Sequence, residues 1–359
     1  MGNRYKHLGD YIHKVENRNR DLKVSKLVGL SMTKKFRVST SNIVGTDMSV
    51  YKVVNKWQFS CDFMSVIRVH KFPVVLKTDD DPVLVSPAYT VFEVNDENEL
   101  NPEYLMMWFR RSEFDRYADF KCDSAIRGGF DWDALCDCML PIPSIEKQRE
   151  IVREYNTIQN RIALNNQMIS KLEDIAQTIY KQWFVEGIDF ENLPKGWNTG
   201  KLADLIEIKY GKSYSHLEEG EIPLYGSGGL MSKVNKPLYT KPSVLIPRKG
   251  TLSNIMFIKH PFWCVDTMFY SIFKNEINGY YSYYILKQLD FDALNQGSAV
   301  PSMTTAFLND IDVVLPNKDI LKNFNEVLHK TISHKENIER ENQKLEELKE
   351  LLLGRMMRN

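Results

Sequence analysis

From Ile151 the apolar positions run Ile151, Tyr155, Ile158, Ile162, Asn165, Ile169, Leu172, Ala176, Ile179 and Trp183, in alternating steps of four and three. That spacing is a coiled-coil seam and predicts one long amphipathic helix. A second seam reads Val327, Thr331, His334, Ile338, Glu341, Leu345, Leu348, Leu352 and Arg355, apolar towards its end and polar in its middle. A helix of roughly 40 residues would run about 60 Å at ~1.5 Å per residue. An apolar stripe needs a cover, so each helix is expected to pack antiparallel on the other. Asn165, at the level of Glu341, would form a polar layer fixing their register.

Each seam follows the same corner: an apolar run ends in Leu140-Pro141 in one place and Leu315-Pro316 in the other. The parts before the corners also repeat in order. "HLGDYIHKV" (7–15) is echoed by "KLADLIEIK" (201–209), both reading as a helical turn that runs into a strand. β-rich stretches with turn residues follow, then aromatic-rich helices at 101–117 and 278–294, then loops containing Ser-Ala. Repetition at this scale fixes architecture. The predicted fold class is α+β: two globular β-rich domains separated by two long antiparallel coiled-coil helices, with an internal pseudo-two-fold repeat. The expected divisions are 1–144, 145–186, 187–318 and 319–359, with "NLPKGW" (192–197) at the join between halves.

At 359 residues the chain can bury two cores. No apolar stretch approaches the ~20 residues of a membrane span. The start, "MGNRYKHLGD", carries no signal-peptide pattern, and the five cysteines lack zinc-type spacing, so reduced thiols in a cytoplasm are expected. Lys+Arg and Asp+Glu balance at 47 each, yet the charges are segregated. Residues 1–77 hold fifteen basic against five acidic side chains, and residues 78–144 hold five against fifteen. Residues 230–274 hold seven basic side chains against Asp266 alone. Two basic regions are compatible with two phosphate-binding faces, unless folding pairs the charges again.

Catalytic patterns fail. Gly211-Lys212-Ser213 imitates the end of a P-loop, but the place of the first glycine holds Ile206. The seven histidines are scattered, with no pair at metal-ligand spacing. Polar and basic turns are the better candidates. "YGSGGL" (225–230) sets Tyr225 and Ser227 on a glycine loop that allows close backbone approach, although a plain hairpin turn would use the same residues. "IPRKGT" (246–251) places Arg248 and Lys249 at a turn between strands. Arg suits bidentate guanine contact and Lys suits phosphate. "TKKFRVS" (33–39) offers Lys34, Lys35 and Arg37; "SVIRVHKF" (65–72) offers Arg68, His70 and Lys71; Arg127 precedes two glycines.

Taken together, these stretches resemble the specificity (S) subunit of Type I restriction-modification systems, along essentially the whole chain. The first half is similar through "GLSMTKKF", "VGTDMSVYKVV", "SPAYTVFEV", "PEYLMMWFRRSEFDR" and "LPIPSIEKQREIV". The second is similar through "LPKGW", "YGSGG", "PRKGTLSN", "PFWCVDTMFY" and "GSAVPSMT", and departs at "LPNKDILKNF", where the family has a Pro-Pro-Glu-Gln-type run. The resemblance implies target-recognition domains that each read one half of a bipartite DNA target, with the helices setting the spacer. It implies no active site in this chain and docking of two modification subunits, which bind S-adenosylmethionine and methylate adenine. Up to two restriction subunits, using ATP and Mg²⁺, would join them. Lys212 and Ser298 complete the candidate DNA-contacting set. Ile151, Ile158, Ile162, Ile169, Leu172, Ile179, Ile338, Leu345, Leu348 and Leu352 form the candidate coiled-coil and docking set. Two rival readings are a protein-binding scaffold and an enzyme with an unrecognised site.

Overall fold

The computed structural model describes residues 5–39, 45–123, 129–289 and 303–355. The chain divides into two compact units, Met1–Asn165 with Glu341–Asn359, and Asn166–Arg340. Both divisions fall inside long helices, so each unit owns part of both.

Unit 1 contains strands β1 (Tyr5–His7), β2 (Ile12–Lys14), β3 (Val28–Leu30), β4 (Phe36–Val38), β5 (Lys52–Val54), β6 (Phe59–Cys61), β7 (Val74–Leu76), β8 (Val83–Val85), β9 (Thr90–Val94) and β10 (Met139–Pro141). Its helices are α1 (Val66–Val69), α2 (Pro102–Arg110), α3 (Ser112–Asp123), α4 (Trp132–Cys136) and the start of α5 (Ile145–Phe184). The main sheet has the order β2-β9-β6-β7, beside the pairs β1-β10, β3-β4 and β5-β8. Its core is aromatic: Phe59 stacks on Phe92 at 4.8 Å, Phe109 meets both edge-on, and Phe72, Phe114 and Phe130 continue the cluster edge-on or tilted. Ile151, Val152 and Tyr155 from α5 close one side of it, together with Leu352 and Leu353.

The aromatic segment 101–117 is not one helix. Asn101 caps α2, its side chain accepting from the Tyr104 amide, with Pro102 at the first turn. Arg111 is extended (ψ 139°), its guanidinium lying 4.4 Å from the Trp108 ring, and α3 begins after it.

Unit 2 contains β11 (Asn198–Lys201), β12 (Ile206–Tyr210), β13 (Glu219–Gly226), β14 (Gly229–Val234), β15 (Ser243–Pro247), β16 (Met256–Ile258), β17 (Trp263–Cys264), β18 (Met268–Phe273) and β19 (Asp312–Leu315). Its helices are α6 (Leu202–Leu205), α7 (Gly279–Lys287), α8 (Thr305–Asn309), the end of α5 and most of α9 (Lys318–Arg355). Two sheets, β12-β18-β15-β16 and β14-β13-β17, carry the body, with β11-β19 apart. Tyr180 and Phe184 of α5 pack into its core with Tyr281, Tyr284 and Phe324.

The repeated Leu-Pro corner now has a physical cause. In each half the opening strand pairs antiparallel with the strand that carries the corner: Lys6 opposite Leu140 in unit 1, and Asn198 opposite Leu315 in unit 2. A buried tyrosine of the aromatic helix fixes that closing strand each time. Tyr104 Oη donates to the Pro141 carbonyl at 3.1 Å, and Tyr281 Oη donates to the Val314 carbonyl at 2.7 Å. A buried phenol must satisfy its hydroxyl, so these bonds set where the strand ends. Proline then ends the ladder and the long helix starts. The internal repeat is visible at the level of single hydrogen bonds.

The first seam lies as the spacing predicts. Ile151, Tyr155, Asn165 and Ala176 are buried, and Ile158, Ile162, Ile169, Leu172, Ile179 and Trp183 are half-buried. The second needs correction at every other position. The inward residues are Phe324, Leu328, Thr331, Lys335, Ile338, Asn342, Leu345, Lys349 and Leu352, all buried or half-buried. Thr331, Ile338, Leu345 and Leu352 were in the predicted seam, but Val327, His334 and Leu348 face solvent, Leu348 at 51% exposure. Beside His334 and Leu348, Lys335 and Lys349 take seam positions by burying their aliphatic stems while their ammonium groups reach glutamates; beside Val327 the inward place falls to Leu328. Within unit 1, Arg161 pairs with Glu341 at 2.9 Å and Asn165 bonds Asn342; within unit 2, Lys335 pairs with Glu173. In each unit the two helices run antiparallel.

Candidate nucleic-acid interface

One end of unit 2 gathers residues that are far apart in sequence. Gly211 and Lys212 leave β12 pressed against β17: the Lys212 amide donates to the Cys264 carbonyl at 3.0 Å, and a Cβ on Gly211 would sit 2.1 Å from the Val265 carbonyl oxygen. The Val265 amide in turn donates to the Tyr225 carbonyl at 3.0 Å. Ser227, at the tip of the β13-β14 hairpin, lies against the turn after β15. Its carbonyl accepts from Asn254 Nδ2 at 2.9 Å, and a Cβ on Gly250 would meet Ser227 Oγ at 2.6 Å. Gly250 is left-handed (φ +82°), which suits glycine and lets this turn close on the hairpin. The Arg248 amide donates to the Thr267 carbonyl, and its guanidinium lies over the Tyr210 ring at 5.5 Å. Lys212, Tyr225, Ser227, Arg248 and Lys249 therefore converge on one site.

The electrostatics of that end are one-sided. Lys212 and Lys249 are exposed and Arg248 is half-exposed. Among the described residues, Lys212, Lys236, Lys241, Arg248, Lys249 and Lys274 form no ion pair, whereas Lys233 pairs with Glu221 and Lys259 with Glu336. Tyr225 is half-buried; burial pushes its phenol up, so it stays protonated, and its Oη lies 3.4 Å from His260 Nε2. A protonated hydroxyl, unpaired cations and a glycine loop can accept a polyanion and offer donors to its edges. Ser298 lies outside the described residues; the chain resumes at Met303, whose amide donates to the Arg248 carbonyl at 2.9 Å.

Unit 1 brings "TKKF" and "RVHK" together, but folding neutralises part of the charge. Lys34 is not a surface cation. It is 5% exposed, pairs with Asp115 at 2.8 Å and also donates to the Phe109 carbonyl. Burial pushes its ammonium down, with Asp115 opposing the shift. The same Asp115 oxygen accepts from the Phe72 amide at 3.0 Å, so Lys34 ties the β3-β4 hairpin to the core and leaves the candidate set. His70 pairs with Asp119 at 2.9 Å. Lys35, Arg37, Arg68 and Lys71 stay exposed, Arg37 donating to the Leu30 carbonyl at 3.3 Å. Arg127 lies outside the described residues.

Sequence reasoning missed Tyr210, whose exposed ring carries Arg248, and Arg110, which sits over Tyr155 and donates to its hydroxyl at 3.2 Å. The alternation of β12 sets Tyr210 on the same face as the buried Ile206 and Ile208, so its exposure at the end of the strand had no mark in the sequence. Among the described residues no group of three or more His, Cys, Asp or Glu could hold a metal ion, and no helix is long and apolar enough to cross a membrane.

Residues 194–350 match the family model of the Type I restriction modification DNA specificity domain. The specificity subunit of the Type I restriction enzyme HindI from Haemophilus influenzae is 21% identical over 380 residues, covering 78% of this chain and 81% of the relative. That of MjaIX from Methanocaldococcus jannaschii is 19% identical over 296 residues, covering 71% and 68%. Among solved structures, the Type-I restriction-modification S subunit from M. genitalium superposes with a TM-score of 0.60 at 14% identity, covering 98% of this chain and 95% of that one. A chain from a structural study of complex assembly and conformational transition of the type I R-M system gives 0.50 at 16% identity, covering 98% and 96%.

Long helices combined with repeated β-rich units make this the fold of a Type I S subunit. Residues 194–350 carry the match to the specificity-domain family, and the chain as a whole is similar to Type I specificity subunits.

Proposed function

We propose that this chain is the sequence-specific DNA-binding subunit of a Type I restriction-modification complex, without catalysis of its own. The observation that carries this reading is the convergence of Lys212, Tyr225, Ser227, Arg248 and Lys249 on one end of unit 2, with no carboxylate paired to the three cations. Unit 2 reads one half-site there, and unit 1 reads the other through Lys35, Arg37, Arg68 and Lys71. Two short readouts joined in one molecule multiply in specificity, because the second contact becomes intramolecular. The target is therefore bipartite and gapped.

The long helices set the spacer and dock two modification subunits. Leu164, Met168 and Ile175 support docking: they share one stripe of α5 and are all exposed. The modification subunits bind S-adenosylmethionine and methylate adenine. Up to two restriction subunits use ATP and Mg²⁺.

Methylome sequencing of a host with and without this gene, the modification subunit being expressed in both, tests the reading. Loss of one asymmetric, gapped N6-methyladenine motif is expected. An unchanged methylome would overturn it in favour of a protein-binding scaffold. A target with one base pair added to its gap should lose protection, since the second half-site moves by ~3.4 Å and rotates about the duplex.

A further inference from the structure

The β13-β14 hairpin displays two neighbouring apolar side chains that no core uses. Leu230 is 62% exposed and Met231 is 53% exposed, and neither belongs to the cores of unit 2. In a regular strand, successive side chains point to opposite faces, and one of the two would turn inward. Here neither does, because Leu230 to Lys233 are all exposed and this stretch of β14 has no buried face. Tyr225 faces Leu230 and Leu224 faces Ser232, so Met231 is also the extra residue of a β-bulge. A bulge re-aims side chains and breaks the strict alternation of the two. Gly226 accommodates it: a Cβ there would meet Met231 Sδ at 2.6 Å. The hairpin tip is held at Ser227 against the turn that bears Arg248 and Lys249. An apolar pair is thus carried by the hairpin whose tip lies against the turn with Arg248 and Lys249.

We infer that Leu230 and Met231 read thymine, by apolar contact with its C5-methyl group in the major groove. This rests on unit 2 being a DNA-reading face and adds what part of that face reads. The adjacent cations give the occupant: a polyanion held by Lys212, Arg248 and Lys249 brings base edges, and thymine is the base whose edge is apolar there. Cations and hydroxyls recognise phosphate and purine edges but cannot recognise a methyl group. The bulge supplies the missing chemistry.

The test uses the full chain assembled with its modification subunits and its target duplex. Each thymine of both half-sites is replaced singly by deoxyuridine, which lacks only the methyl group, and Kd is measured. At one or two positions, all in one half-site, Kd should rise about fourfold per methyl group lost. In the Leu230→Ala, Met231→Ala double variant thymine and uracil should bind alike there, while Lys249→Ala should keep the difference. A purely structural role for the pair would weaken both duplexes equally and leave the thymine-uracil ratio unchanged. Absence of any responsive position, persistence of the difference in the double variant, or a target without an A·T pair in one half-site overturns the inference while leaving the DNA-reading role intact. If the wild-type complex binds a scrambled duplex as tightly as its target, the DNA-reading role falls, and this inference with it.

Discussion

Asn165 Nδ2 donates to Asn342 Oδ1 at 2.9 Å where α5 and α9 meet in unit 1, with Asn165 only 1% exposed. A buried amide facing an amide favours one register; a slip by one helical turn would set Asn165 against Ile338 or Leu345. Arg161 reaches Glu341 one turn away, completing a polar layer between greasier stretches.

Replacing one member of that amide pair should cost about 1 kcal/mol, the net worth of one hydrogen bond, since Asn165 also bonds Glu341. The double replacement Asn165→Leu, Asn342→Leu should recover most of the loss and hold the register less uniquely. A double-mutant cycle by chemical denaturation reads the coupling. Strictly additive single losses would mean that the pair contributes no mutual stabilisation.

Acid should loosen the same layer. Hydrogen bonding from Arg161, helped by Asn165, holds the Glu341 carboxyl below its ordinary 4.5. A folded-state value lower than the unfolded one gives stability that is complete above about 4.5 and lost as pH falls through the lower folded value. Glu341→Gln should therefore flatten the acid limb of the stability-pH profile and leave the neutral limb parallel. An unchanged acid limb would contradict this assignment.

Lys34→Met should lower the stability of unit 1 by about 3 kcal/mol, since it leaves Asp115 without its buried partner. It should leave the salt dependence of DNA binding unchanged. Lys249→Ala should do the opposite, sparing the melting temperature and reducing the slope of log K against log salt by about one. Were the two variants to swap these signatures, the assignment of buried and DNA-facing cations would be wrong.

Arg248→Ala should relax discrimination at one base pair of the half-site read by unit 2, at about 1–3 kcal/mol. Competition binding against single-base variants of the target checks it. A uniform loss across all variants would instead make Arg248 a phosphate contact.

Gly211→Ala should destabilise unit 2 by about 2–3 kcal/mol, because the added carbon would collide with the Val265 carbonyl, which belongs to fixed backbone. Thermal unfolding reads this directly. A neutral effect would show that the approach of β12 to β17 is looser than the hydrogen bonds indicate.

Much of the architecture was legible in the sequence because it is periodic. The positions of the first seam are all buried or half-buried, although the polar Asn165 is buried more deeply than most of its isoleucines, and Tyr180 and Phe184 beside the predicted positions are buried at its end. The second seam failed at alternate positions. Leu348 is the greasier choice and Lys349 the half-buried one, since a lysine stem fills a seam while its charge finds Glu346, whereas at Val327 the inward place falls to Leu328. The Leu-Pro corners were visible as repeats, but their cause was not, because Tyr104 bonds a carbonyl 37 residues away. Turn chemistry marked the place of Arg248 and Lys249 after β15, where they form no ion pair among the described residues. Lys34 could not be set aside the same way, since Asp115 lies 81 residues downstream and nothing local announces the pair. The bulge at Met231 was hidden too, as the alternation of β14 carries no mark of the extra residue.

Leu352 and Leu353 sit in the same core as Phe59 and Tyr104, although they lie near the opposite end of the chain. On the ribosome, the half that emerges first is therefore the last to be finished. Its hydrophobic centre waits, partly uncovered, until the far end of α9 has been synthesised and released. Domains elsewhere commonly fold in order of synthesis; here a premature stop after Arg340 would injure the beginning of the protein more than its middle. Unit 1 is sealed by residues of α9 that the chain supplies long after the rest of that core.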